Sequence, residues 1–232
     1  MLGPVDWAVW FLATLLEASV VVCSLRKGSF KRYFFLNLYM MLSVLVSVGR
    51  YQVLMGHNLY SDEYRYFYFY SDALLTIILF FAVISLFSRV FHELGVEGYV
   101  RLGAVLILGG TAWFSYSVVN QSSGRMLTHF AFELSQNLYF VGLVLTYVLW
   151  GAILKLRETR ALLVQLVLSM GIYFSAFAAS YAISNLNPTF FSYIHYLVPV
   201  IGCLLPMAWA YAFWRVPEDA RLMPSRVAAV QR

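Results

Sequence analysis

Charge is scarce in this chain. Asp, Glu, Lys and Arg make up only 12% of its 232 residues, whereas a soluble domain carries charge on about a quarter of its positions. A water-facing surface of ordinary composition is thereby excluded. Cysteine is equally sparse: Cys23 and Cys203 fall in apolar stretches rather than loops, so no disulfide framework is indicated. No basic leader precedes the first apolar run in Met1-Leu2-Gly3-Pro4-Val5-Asp6, and the first span is therefore expected to be retained rather than cleaved as a signal peptide.

What the chain has in place of charge is apolar length. Hydrophobic residues make up 62% of it, in runs long enough to cross a hydrocarbon layer, which takes about 20 helical residues each. The runs predict seven transmembrane helices near 5–25, 34–55, 66–88, 98–119, 127–152, 162–184 and 193–214. The expected fold is an all-α integral membrane bundle over 1–214, followed by a short basic tail at 215–232. These boundaries leave no room within the sequence for a soluble catalytic domain.

The few charges orient the bundle. Arg26, Lys27, Lys31 and Arg32 follow span one, Arg89 and Arg101 flank the connection from span three to span four, and Lys155, Arg157 and Arg160 follow span five. Arg215, Arg221, Arg226 and Arg232 lie in the tail. Opposite them stand only Arg65 and Arg125 in loops and Arg50 just inside span two. The positive-inside rule puts the first group in the cytoplasm and the N-terminus outside. The formal charge of +5 then reads as a topology signal and an attraction to anionic headgroups, not a nucleic-acid footprint. A bacterial inner (cytoplasmic) membrane is the expected location. Asn120-Gln121-Ser122 matches a glycosylation sequon in an outer loop, which matters only on a eukaryotic secretory route.

Ionisable groups inside a bilayer are costly unless paired or hydrated, which makes each a candidate functional residue. Counting the helical rise, Arg50 lies about 7 Å inside the outer boundary, Asp72 about 9 Å and Glu133 about 10 Å. His129, Glu133 and Asn137 are spaced four apart, and Gln136 widens that stripe on span five. With His195 on span seven, these residues predict an outward-facing polar pocket in which the Arg50 fork could bind Asp72 or Glu133 bidentately. A structural ion-pair network that locks the bundle is the alternative. Glu17 stands apart, about 18 Å down span one, as a neutral hydrogen-bond donor or part of a proton path. Pro199 and Pro206, seven residues apart on span seven, free the carbonyls of His195 and Gly202 and predict a static kink or a hinge. Tyr66-Phe67-Tyr68-Phe69-Tyr70 reads as an interfacial aromatic belt or a stacking surface at the pocket mouth.

Known chemistries can be tested against these residues. Microbial rhodopsins share the architecture but hold retinal on a lysine in span seven; no lysine lies there, which excludes a covalent retinal protein of that kind. Seven-span zinc hydrolases need three histidines at matched depth, and only His129 and His195 fall in spans, so no metal site is expected. The same two histidines meet the minimal requirement for a bis-histidine b-type haem, but their shallow depth favours hydrogen-bonded structural histidines instead. The Pro-Gln pair and the three-plus-one-plus-three repeat of small sugar transporters are absent, as is rhomboid-type Gly-x-Ser-x-Gly chemistry.

A first span with Trp7 and Trp10, a basic loop running into Phe30, Tyr33, Phe34 and Phe35, and a Glu133-x-x-Gln136-Asn137 motif together resemble uncharacterised bacterial seven-span proteins. Architecturally the chain is also similar to seven-span sensor regions fused to signalling enzymes such as histidine kinases. That resemblance implies a receptor-like, non-catalytic sensor, here needing a separate cytoplasmic signalling partner. The reading from the residues is the same: a ligand-binding or sensory protein for an unknown small ligand or lipid. A small-solute or proton-coupled transporter using Glu17, or an accessory subunit of a larger membrane complex, are the other classes.

Overall fold

The structure is a computed structural model. It describes residues 3–57, 61–92, 95, 97–120, 126–157, 159–186, 191–218 and 220–221, with the backbone alone at 97, 126, 184–185 and 191–196. Within these residues seven helices follow one another: α1 Pro4–Arg26, α2 Phe34–Gly56, α3 Asp62–Val90, α4 Glu97–Asn120, α5 Met126–Lys155, α6 Ala161–Leu186 and α7 Phe191–Arg215. Each is long and apolar enough to cross a membrane.

Local chemistry sets the helix ends. At the start of α1, Pro4 needs no intrahelical donor, and the Gly3 amide donates to Asp6 Oδ2 at 2.8 Å. The α1 C-terminus closes in a Schellman motif: Gly28 takes φ +68, its amide donates to the Leu25 carbonyl, and the Ser29 amide reaches the Ser24 carbonyl. Helix α3 starts at Asp62 rather than 66. Ser61 caps it by accepting from the Tyr64 amide at 3.1 Å, and Asp62 and Glu63 oppose the positive end of the helix dipole. The aromatic run Tyr66–Tyr70 therefore lies inside a helix and is divided by face. Tyr66, Tyr68 and Tyr70 are exposed, while Phe67 meets Gly49 of α2 and Phe69 packs edge-on against Phe132 of α5.

Helices α1, α2, α3, α5, α6 and α7 pack neighbour to neighbour in that order and close on one another through α7 and α1, with a further contact from α3 across to α6. Helix α4 stands outside this ring, against α5 and, more sparsely, α3. The most enclosed spans are α3 and α6; α1 and α4 turn broad apolar faces outward, with Trp113 74% exposed. In a lipid environment such faces are solvated rather than stranded. Helix α7 passes through Pro199 and Pro206 without interruption.

The connections α1–α2, α3–α4 and α5–α6 share one end of the bundle with the segment after α7. Lys27 Nζ donates to the Val216 carbonyl at 3.3 Å, Arg32 pairs with Glu218, and the Ala161 amide donates to the Ala220 carbonyl at 3.0 Å. Arg160 pairs with Arg221 in an isolated bridge and donates to the Arg89 carbonyl at 3.0 Å. This is the basic end; the opposite end is rich in aromatics.

Candidate functional site: a polar core inside the helix ring

Arg50, one and a half turns from the end of α2, turns into the ring. Its Nε and Nη2 both donate to Ser71 Oγ of α3, at 3.1 and 2.9 Å, and Nη2 also reaches the Tyr68 carbonyl at 3.3 Å. The guanidinium lies 4.2 Å from the centroid of the Tyr68 ring, a cation–π contact. The fork thus closes on a hydroxyl rather than on either carboxylate expected from the sequence. The reason is angular: Asp72 is one residue past Ser71 and so points about 100° further round α3. It faces Ser135 of α5, and Arg50 is its nearby opposite charge. Ser135 is buried, and its hydroxyl is the hydrogen-bonding neighbour of the Asp72 carboxyl.

Glu17 joins this core instead of standing apart. Ser43 of α2 donates to its Oε1 at 2.5 Å, and its charge is felt by Arg50, Tyr39 and Cys203. Its Oε2 is buried with no partner among the described residues. Deeper in the ring the hydroxyls of Tyr39 (α2) and Tyr173 (α6) meet at 3.4 Å, and Tyr139 (α5) interacts with Tyr173. Trp209 of α7, fully buried, packs edge-on against Tyr39 and donates its indole N–H to Ser169 Oγ at 2.9 Å.

The stripe on α5 does not join them. Residues two apart on a helix lie about 200° apart, so with Ser135 and Tyr139 facing the ring, Glu133 and Asn137 face away. Asn137 Nδ2 donates to Ser115 Oγ of α4 at 3.0 Å, and Glu133 lies 3.9 Å from His129 Nε2. The expected single pocket is two groups of residues on opposite sides of α5. Gln136, one turn on from Phe132, falls on the ring side by register. The His195 side chain lies outside the described residues, so its pairing with His129, and with it the haem expectation, has no described geometry. The same holds for Gln121 and Ser122 of the sequon. Among the described residues no three His, Cys, Asp or Glu side chains converge as metal ligands.

Sequence reasoning missed Ser43, Ser71 and the tyrosines. A signal for the first was present: Tyr39, Ser43 and Arg50 are spaced four and seven apart, and so share one face of α2. On α6, Tyr173, Phe177 and Tyr181 repeat every four residues along the ring face.

The fold and this core define an integral membrane helix bundle with a polar interior. No model of a known protein family matches the chain, and neither does any curated protein or solved structure.

Proposed function

We propose that the chain is a non-catalytic, ligand-binding membrane protein of receptor-like kind. Its ligand would sit in the polar core formed by Glu17, Ser43, Arg50, Ser71, Asp72 and Ser135. In this reading the basic end faces the cytoplasm and the N-terminus lies outside, as the charge distribution directs. One observation carries it: Glu17 Oε2 is a buried acceptor with no partner among the described residues. An unpaired buried polar atom costs about 1–3 kcal/mol, and an atom supplied from outside the chain removes that cost. Two carboxylates and a ring of phenols suit a small polar solute with at least one hydrogen-bond donor, such as an amine. Pro199 and Pro206, on the helix that bears Cys203, would let α7 respond to occupancy.

The test is thermal unfolding of the purified protein in detergent against a panel of small amines, amino acids and polyols. A stabilising compound should lose its effect in Glu17→Gln and Asp72→Asn. If both variants match the native chain in stability and in every ligand shift, the core is not a binding site.

A proton-coupled carrier is the second reading. It is favoured by the position of Glu17, a carboxyl in the ring bonded through one oxygen to Ser43 of α2, with its other oxygen buried and without a partner among the described residues. Uptake into proteoliposomes that follows an imposed pH gradient, and stops in Glu17→Gln, would replace the receptor reading with this one.

A further inference from the structure

A second site lies at the basic end, far from the polar core. A cavity of about 750 Å³ opens between α2, α3 and α4 there, within the 300–1,000 Å³ range of small-molecule sites. Its rim carries Arg32, Arg89, Arg101 and Arg160 with Ser88, and no acidic residue lines it among the described residues. Its inner wall is apolar: Phe35, Phe81, Ile84, Ala104 and Val105. Phe81 lies eight residues along α3 from Arg89, so the cavity runs about 12 Å from the helix ends into the hydrocarbon zone.

Among the described residues the charge on this rim is mostly positive. Arg89 lies among Arg32 and Arg160, and among the described residues the carboxylate acting on it is Glu218, which pairs with Arg32. The Arg89 guanidinium rests over the Tyr33 ring at 4.6 Å, and burial raises the phenol of Tyr33 despite the lowering influence of Arg89. Arg101, on the first turns of α4, makes no ion pair among the described residues. Planar guanidinium forks match phosphate oxygens, and a basic pocket between helices at a membrane face suits an anionic headgroup. The apolar wall beneath has the length and chemistry for acyl chain. Helix α4 packs only sparsely on α3, which leaves the cleft open between them.

We infer that this cavity binds one anionic phospholipid, its phosphate held by Arg89 and Arg101 and an acyl chain lying along Phe81, Ile84 and Ala104. The inference is independent of the polar core and of which membrane face the basic end occupies.

The delipidated full chain, titrated in detergent with phosphatidylglycerol or phosphatidylcholine and read by native mass spectrometry, tests it. One phosphatidylglycerol should bind at least tenfold more tightly than phosphatidylcholine. Arg101→Gln and Arg89→Gln should each weaken that binding roughly fivefold, the equivalent of about 1 kcal/mol per basic residue. Lys155→Gln, which removes the same charge from the basic end outside the cavity, should leave it unchanged. Arg101→Gln removes no hydrogen bond or ion pair among the described residues, so it carries the test if Arg89→Gln fails to fold. Ala104→Phe, which fills the apolar wall, should weaken both lipids. Equal binding of the two lipids, or equal loss in Arg101→Gln and Lys155→Gln, would overturn the inference. Displacement of phosphatidylglycerol by millimolar inorganic phosphate would reassign the cavity to a free anion and overturn it as well.

Discussion

At the scale of the residue, Arg50 shows how far a sequence can be read inside a membrane. Its depth and rarity singled it out, because a buried cation must find partners. Its partner could not be read. Serine and threonine in apolar helices usually bond back to their own helix, as Thr14, Thr76, Thr111, Ser175 and Ser180 do here. Ser43, which leaves its helix for Glu17, is set apart only by sharing a face of α2 with Arg50, and nothing in the sequence separates Ser71 from the rest. Ser71 donates to the Tyr68 carbonyl and accepts from both Arg50 nitrogens. The fork geometry makes a specific prediction. Arg50→Lys keeps the charge but cannot place two donors on one hydroxyl, so it should cost about 1–2 kcal/mol. Chemical denaturation in mixed micelles would measure this, and Arg50→Lys as stable as the native chain would count against the fork.

At the scale of the element, the spans were legible because hydrocarbon thickness fixes their length. Their faces were less so. The charged stripe of α5 was expected to point into the ring, yet the ring side of α5 is built from Ser135, Tyr139 and Gly142, and the stripe faces α4. Glu133 finds its partner one turn back on its own helix, in His129, and Asn137 finds one on α4, in Ser115, so neither needs the centre of the bundle. Close approach on the ring side depends on Gly142. A Cβ there would collide with the Phe174 ring, which is itself buried. Small residues set the spacing of helices in membranes, so Gly142→Ala should destabilise by about 1–3 kcal/mol through overpacking. Gly171→Ala is the matched control, because a Cβ there meets nothing within 4 Å. A thermal scan of the two variants checks this: only Gly142→Ala should lose stability.

At the scale of the whole molecule, the charge asymmetry along the chain is enough to mark one end of the bundle, and the contacts of Lys27, Arg32 and Arg160 with the segment after α7 gather that end together. The order of helices around the ring was not legible, because helices apolar on all sides carry no stripe that names a neighbour. The displacement of α4 to the outside, which opens the basic-end cleft, is visible only in the assembled bundle. Orientation is directly testable with single-cysteine variants lacking Cys23 and Cys203. His57→Cys should react with a membrane-impermeant maleimide from outside intact cells, and Lys155→Cys only after permeabilisation; the reverse pattern would invert the topology.

The polar core is the central claim, and an experimental structure of the native chain in a lipid nanodisc, at a resolution that reveals ordered water and small ligands, tests it most directly. The expected result is non-protein density within hydrogen-bond distance of Glu17 Oε2, enclosed by Ser43, Arg50 and the α7 helix near Cys203. A Glu17 carboxyl whose second oxygen is bonded to a donor from the chain itself, with α1, α2 and α7 packed closed around it and no density between them, would contradict it.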